Sequence, residues 1–356
     1  VRGSGQKIDN LASLAADLLG RLAIRRHDYA VATDYAAKSA EAGESYVRFN
    51  PSDLNSWVYW VRGLDQQANV LLEQGRIEDA IDGYRRLVAL ERDSRKPASL
   101  APLLWNNWGQ LTIIEGRVGQ FDAARKSHLV AVAAAKETAA LEKQGSARQT
   151  LFNMYGDGLQ ARLDLDQGNN QAAFDQATQL AGRMRALEFA QDETGGNIRD
   201  ANAVRANFLR NTLATLTLAA LRTGRYGEAE AAARERAALP PNPFSELDPQ
   251  DEKSRAQVTL AHALLLQGRT DEARAITEVE IPRYRAELKA GAGGLAFAKD
   301  FSYALYVDAL ARPVSDPRRN AYLAEALRQL DGMGDEVNRL VDIRELRGRI
   351  GAAGSG

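Results

Sequence analysis

The sequence predicts an all-α chain: a right-handed α–α superhelical solenoid of about seven helical hairpins. Three observations carry this. In Ala68–Leu90 an apolar segment ends at Val70-Leu71-Leu72, Gly75 breaks it, and Ala80, Ile81, Tyr84, Leu87 and Val88 then recur at helical spacing. Equivalent glycines stand at 75, 119, 168, 224 and 268, separated by 44, 49, 56 and 44 residues. Five residues after each comes an alanine: Ala80, Ala124, Ala173, Ala229 and Ala273. Gly supplies the backbone freedom a tight turn needs. A small residue at a fixed offset lets the second helix approach the first closely.

The elements follow in order. Residues 1–6 (VRGSG and onward) read as a linker or the scar of an excision, and 351–356 as a flexible tail. The array proper spans 7–350. The first hairpin, about 7–49, is imperfect: Leu11, Leu14, Leu18, Leu19 and Leu22 mark one helix, Tyr29, Ala32, Ala36 and Ala40 the next, and the turn near Arg25–Asp28 lacks Gly. An atypical first unit is expected of a terminal cap, which has one face without a neighbour. Asn50-Pro51-Ser52-Asp53 breaks the chain and can cap the next helix. Further hairpins span about 54–93, 100–144, 147–190, 201–239, 252–290 and 295–330, the last turning through Pro313–Pro317, and a cap helix covers 334–350. Interruptions are the polar loop Gln191–Asn197, the Pro-rich stretch Pro240–Pro249 and Gly291–Gly294. The Pro-rich stretch is expected to be a surface excursion that leaves its flanking hairpins stacked.

These residues resemble the tetratricopeptide repeat, whose pattern places W-x2-L-G-x2-Y before the turn region and A-x3-F after it. Trp108-x2-Leu111, Leu213-x2-Leu216 and Ala80-x3-Tyr84 match parts of it, and Phe121 and Tyr226 fill the aromatic slot after the turn glycine. Thr112 and Thr217 replace the first-helix glycine, while Ala68, Ala161 and Ala261 keep a small residue there. The long period is similar to that of tetratricopeptide-like sensor regions in multidomain bacterial signalling proteins. The resemblance covers residues 54–290 well and implies a protein- or peptide-binding scaffold.

Composition excludes several classes. Basic residues number 46 against 47 acidic, for a net charge of −1, which argues against a general nucleic-acid or acidic-membrane binder. There is no cysteine, hence no disulfide or zinc–thiolate site. No run approaches the roughly 18 apolar residues of a membrane span. The cytoplasm is the expected compartment, with the periplasm as the alternative.

No catalytic set stands out, and no cofactor is called for. His27, His128 and His262 have no metal-ligand spacing, no G-x-S-x-G elbow exists, and Asp164 and Asp166 face different sides of a helix. Trp57/Trp60 and Trp105/Trp108 each share a helix face and read as packing between hairpins, or else as an aromatic platform.

In the tetratricopeptide register the first helices line the concave side. Candidate ligand-binding residues there are Asn69, Asn106, Arg117, Tyr155, Arg162, Asn211, Arg222 and Arg255, whose side chains can bond a peptide backbone or carboxylate. Arg162 and Arg222, near the middle, are the first choices. The chain has Asp65 where the chaperone-tail carboxylate clamp of some tetratricopeptide proteins needs Lys. The expected function is non-enzymatic binding of a protein or peptide segment. A peptide-pheromone-receptor type of repeat domain is one alternative, favoured by a narrow basic pocket. A helical-toroid glycosidase is the other, favoured by ring closure around two carboxylates.

Overall fold

A computed structural model describes residues 2–189, 201–241 and 249–354. The described residues contain helices and turns and no strand. The first hairpin pairs α1 (Arg2–Arg25) with α2 (Tyr29–Phe49), and the second α3 (Leu54–Glu73) with α4 (Ile77–Ala89). The third consists of the short α5 (Leu100–Leu103), α6 (Trp105–Arg117) and α7 (Phe121–Leu141). Three more are α8 (Ala147–Asp166) with α9 (Asn170–Arg185), α10 (Ala201–Arg222) with α11 (Tyr226–Ala238), and α12 (Pro249–Leu266) with α13 (Thr270–Lys289). Then come α14 (Leu295–Leu310) with α15 (Pro317–Asp331), a 3-10 turn at Glu336–Arg339, and α16 (Val341–Gly354). Helix thus occupies part of both end stretches expected as linker and tail. The polar loop at 191–197 and most of the Pro-rich stretch lie outside the described residues. Helices α11 and α12 on either side of that stretch pack together.

The turn signature has a direct structural cause. Gly75, Gly119, Gly168, Gly224 and Gly268 have φ between +75° and +83°, the left-handed region. At Gly75 its N–H donates to the Leu72 carbonyl and the Arg76 N–H to Leu71, so the last carbonyls of α3 are satisfied as the chain reverses. The five alanines at the fixed offset all have no exposed surface. The repeat is therefore a steric rule read directly from sequence.

The first hairpin obeys the same rule. Among the described residues His27 is the non-Gly residue with positive φ, +57°, and the Asp28 N–H donates back to Ala23 as in the glycine turns. Ala32, five residues on, is fully buried. Gly20 holds the small position of the first helix, where a Cβ would meet the Gln66 side chain at 2.4 Å. The expected irregularity is one substitution, His for Gly, in a regular unit.

Packing is consecutive, and the array also returns on itself. Helix α14 touches α3, and the largest apolar cluster joins residues 68–114 to residues 233–350. Two carboxylates cap helices across this seam. Glu73 accepts from the Ala296 N–H at 3.0 Å, at the start of α14. Glu336 accepts from Ile77 and Glu78 at 2.8 and 3.3 Å, supplying the cap that Arg76 does not give α4. Such carboxylates meet unpaired N–H groups at the positive end of the helix dipole. His27 adds an ion pair with Asp251 of α12 at 3.5 Å and an edge-on ring contact with Phe297. The first hairpin, expected as a terminal cap with one face without a neighbour, thus meets α12 and α14.

Candidate functional site

The first helices of the hairpins line a half-open cavity of 980 Å³, with α1, α3, α6, α8, α10, α12 and α14 all contributing wall residues. Consecutive hairpins present their first helices inward, so the cavity follows from the repeat. Of the candidate residues, Asn69, Asn106, Arg117, Asn211 and Arg255 lie on its wall. Asn69 is engaged, accepting from the Tyr84 hydroxyl at 2.6 Å. Asn106 and Asn211 carry side-chain amides with no protein partner among the described residues.

Tyr155 sits against the aromatic patch. Its ring packs on Trp105 at 4.6 Å and on Phe208 at 5.7 Å, and burial raises its phenol's pKa. Trp105, Phe152 and Phe208, stacked edge to face, are the wall members of that patch. Trp57, by contrast, is fully buried and donates to the Pro51 carbonyl, so it is core.

Arg162 and Arg222 are placed differently from expectation. Arg162 holds Asp166 at 3.0 Å. Arg222 donates to the Leu165 carbonyl and pairs with Glu345 of α16, beside a second, more open pocket that includes His262. The closing helix α16 occupies the groove there, an arrangement that positions counted back from turn glycines do not reveal. Arg117 is also tied to this helix, through Asp342 at 3.1 Å, and Lys299 reaches the same carboxylate at 3.1 Å. Burial alone would raise the Asp342 pKa, but Arg117, Lys299 and Arg162 together hold it far below the usual carboxylate range.

The wall is strongly cationic for a chain of net charge −1. Arginines 21, 62, 117, 148, 210, 236 and 255 and Lys299 face it, against Asp17, Asp65, Glu73 and Glu252. All four carboxylates are engaged: Asp17 by Arg21, Asp65 by Asn107, Glu73 by Ala296 N–H and Glu252 by Arg210. Asp65 is pushed up to about 6 by burial and by the neighbouring Asp17, against the Asn107 hydrogen bond and Arg21. Among the described residues, the buried wall atoms without a hydrogen-bond partner are donors: Arg117 Nε, Arg210 Nη1 and Arg236 Nε. Arg148, Arg210, Arg236, Glu252 and Lys299 were missed by the sequence reading. Arg236 lies on a second helix, which a rule about first helices passes over.

His262 is a buried neutral histidine. Its Nδ1 meets the Tyr303 hydroxyl at 2.5 Å, and burial lowers its pKa to about 4, with Arg349 adding to the shift. Among the described residues no group of three side chains is placed to hold a metal ion, and no helix is long and apolar enough to cross a membrane.

The fold is that of a tetratricopeptide-like solenoid. The left-handed turns with a buried alanine five residues on decide it. No family model and no curated protein matches the chain. A tetratricopeptide repeat protein from Parabacteroides merdae ATCC 43184 is similar to it at 11% identity and a TM-score of 0.42, over 92% of this chain and 97% of that one. The P58(IPK) TPR domain is similar at 12% identity and a TM-score of 0.23, over 91% and 99%.

Proposed function

We propose that this tetratricopeptide-like solenoid is a non-enzymatic module that encloses a short extended segment of protein or peptide. The observation that carries this is the state of the cavity wall: its carboxylates are engaged, while, among the described residues, single guanidinium donors of Arg117, Arg210 and Arg236 and the Asn106 and Asn211 amides have no protein partner. Buried polar groups are ordinarily hydrogen-bonded, so the wall is complementary to a ligand that brings acceptors. A peptide backbone brings carbonyls, and the Trp105–Phe152–Phe208 patch offers an apolar side chain a place beside them. A cation-rich cavity lined by so many of the first helices favours a receptor of the peptide-signal type over an open scaffold, and such a module would serve within a larger bacterial signalling or regulatory protein.

The test is calorimetry of the full chain with short-peptide pools, repeated with Asn211→Ala and Trp105→Ala. Retention that both substitutions weaken, with unchanged thermal melts, supports the reading. Retention indifferent to both removes the binding site from this cavity.

A second reading has two observations in its favour. The array closes, and the Asp65 carboxyl is raised to about 6 beside Asp17, as in acid–base pairs that cleave glycosides. Release of reducing ends from a polysaccharide panel, abolished by Asp65→Asn, would establish it in place of the first. The engagement of Asp65 by Asn107 at 2.8 Å weighs against it.

A further inference from the structure

One end of the cavity, where α10, α11 and α12 meet, gathers three guanidinium groups and two carboxylates. Arg255 pairs with Asp300 at 2.7 Å, and Arg210 pairs with Glu252 at 3.3 Å and donates to the Pro240 carbonyl. Arg236, from the last turn of α11, has no ion pair or hydrogen bond among the described residues, and its Nε is buried without a partner. It lines the same cavity as Arg210, Arg255 and Glu252. Burial above all lowers its pKa to about 10, with Arg255 and Arg210 opposing its charge and Asp300 and Glu252 favouring it. An arginine with a buried, unpartnered Nε and two others of like charge on the same wall is a standing cost to the free protein. Arg210 adds a second unfilled donor, its buried Nη1.

We propose that Arg236 and Arg210 form an anion subsite that captures one carboxylate group of a bound peptide, either its C-terminus or an acidic side chain. This rests on the peptide-binding reading above and specifies what the peptide must carry. The charge count selects the anion. Three guanidinia against Glu252 and Asp300 leave one positive charge, which a monoanionic carboxylate neutralises and a dianionic phosphate overshoots. Guanidinium N–H groups suit a carboxylate geometrically, and charge-assisted bonds are the strong ones. Val204 and Phe208 stand on α10 beside Arg210, on the same cavity wall. The residue next to the captured carboxylate is therefore apolar.

The experiment uses the full chain and two defined hexapeptide pools of matched sequence. One has free C-termini and contains Asp and Glu; the other is C-terminally amidated, with Asn and Gln in their place. Retention of each pool is read by equilibrium dialysis and mass spectrometry for the wild type, Arg236→Gln, and Arg349→Gln as a control outside this cavity. The expected result is that the wild type and Arg349→Gln prefer the acidic pool by about tenfold or more, as charged hydrogen bonds imply, and that Arg236→Gln loses the preference. Arg236→Gln should also melt at a higher temperature than the wild type when free, since it removes an unpaired buried charge; a structural arginine would give a lower one. Equal retention of both pools, or a preference untouched by Arg236→Gln, overturns the subsite while leaving peptide binding in place. Retention of neither pool overturns both. Displacement of the acidic pool by inorganic phosphate at concentrations where acetate has no effect overturns the choice of a carboxylate.

Discussion

Replacing Asp342 by Asn tests what holds the closing helix in the groove. Asp342 Oδ2 is 3.1 Å from Arg117 Nη2 and 3.1 Å from Lys299 Nζ, and the side-chain exposures are 20%, 13% and 31%. Charged hydrogen bonds contribute about 1.5–3 kcal/mol each, the more exposed lysine at the low end, and part is offset by desolvation. Asn keeps the volume, so no cavity term enters, and the three cations near the site are left facing one another. The expected loss is about 2–4 kcal/mol, read by urea denaturation followed through circular dichroism, with faster amide exchange along α16. The pH dependence gives an independent sign. The carboxylate's folded pKa is depressed, so its stabilisation is fully present above the unfolded value of about 4 and is lost as pH falls through the folded one. The gap between wild type and Asp342→Asn should therefore narrow in acid. A loss below about 0.5 kcal/mol with unchanged α16 exchange, or a gap that stays constant to the lowest pH at which both fold, would refute the assignment.

Further expectations concern turns, close approaches and the seam. Gly63→Ala should cost about 2–4 kcal/mol in urea denaturation, because the new Cβ would lie 2.4 Å from the Ala40 backbone nitrogen. Gly168→Ala meets nothing within 4 Å and should cost only the strain of φ +83° in a non-Gly residue, about 1–2 kcal/mol. Glu336→Ala frees the Ile77 and Glu78 N–H groups and should lower stability by about 1 kcal/mol, with exchange rising at the start of α4. His27→Asn keeps a residue that tolerates the left-handed turn but removes the Asp251 pair. The hydrogen bond to Asp251 raises the His27 pKa despite burial, with Glu287 and Glu73 also favouring the charged form. The wild type's advantage should therefore be full below about pH 6.5 and vanish as pH rises through the folded value; thermal melts from acid to alkaline pH measure it.

The hairpins were legible because each needs a left-handed residue and a small one at fixed positions. Both demands leave marks in the sequence, at Gly75 and Ala80 as at Gly268 and Ala273. The first hairpin was partly hidden because His27 takes the glycine's place, although Gly20, Tyr29 and Ala32 hold the offsets of the small, aromatic and alanine positions. The closure was not legible. Glu73 capping α14 and Asp342 pairing with Arg117 join residues more than 200 positions apart, and such pairs have no period to detect. For the cavity, counting along first helices found Asn106, Asn211 and Arg255. It could not find Arg236, which enters from a second helix, or foresee that Arg222 is bound by Glu345.

The two carboxylate caps across the seam bear on kinetics. An open solenoid has mainly nearest-neighbour contacts, so it can grow from any unit and fray from either end. Here the Glu336 bond to Ile77 spans 259 positions, and forming it requires the whole intervening chain to be in place. Closing this loop is entropically expensive and belongs late in folding. Once made, it couples the second hairpin to the C-terminal unit, so that neither can fray at this contact without disturbing the other.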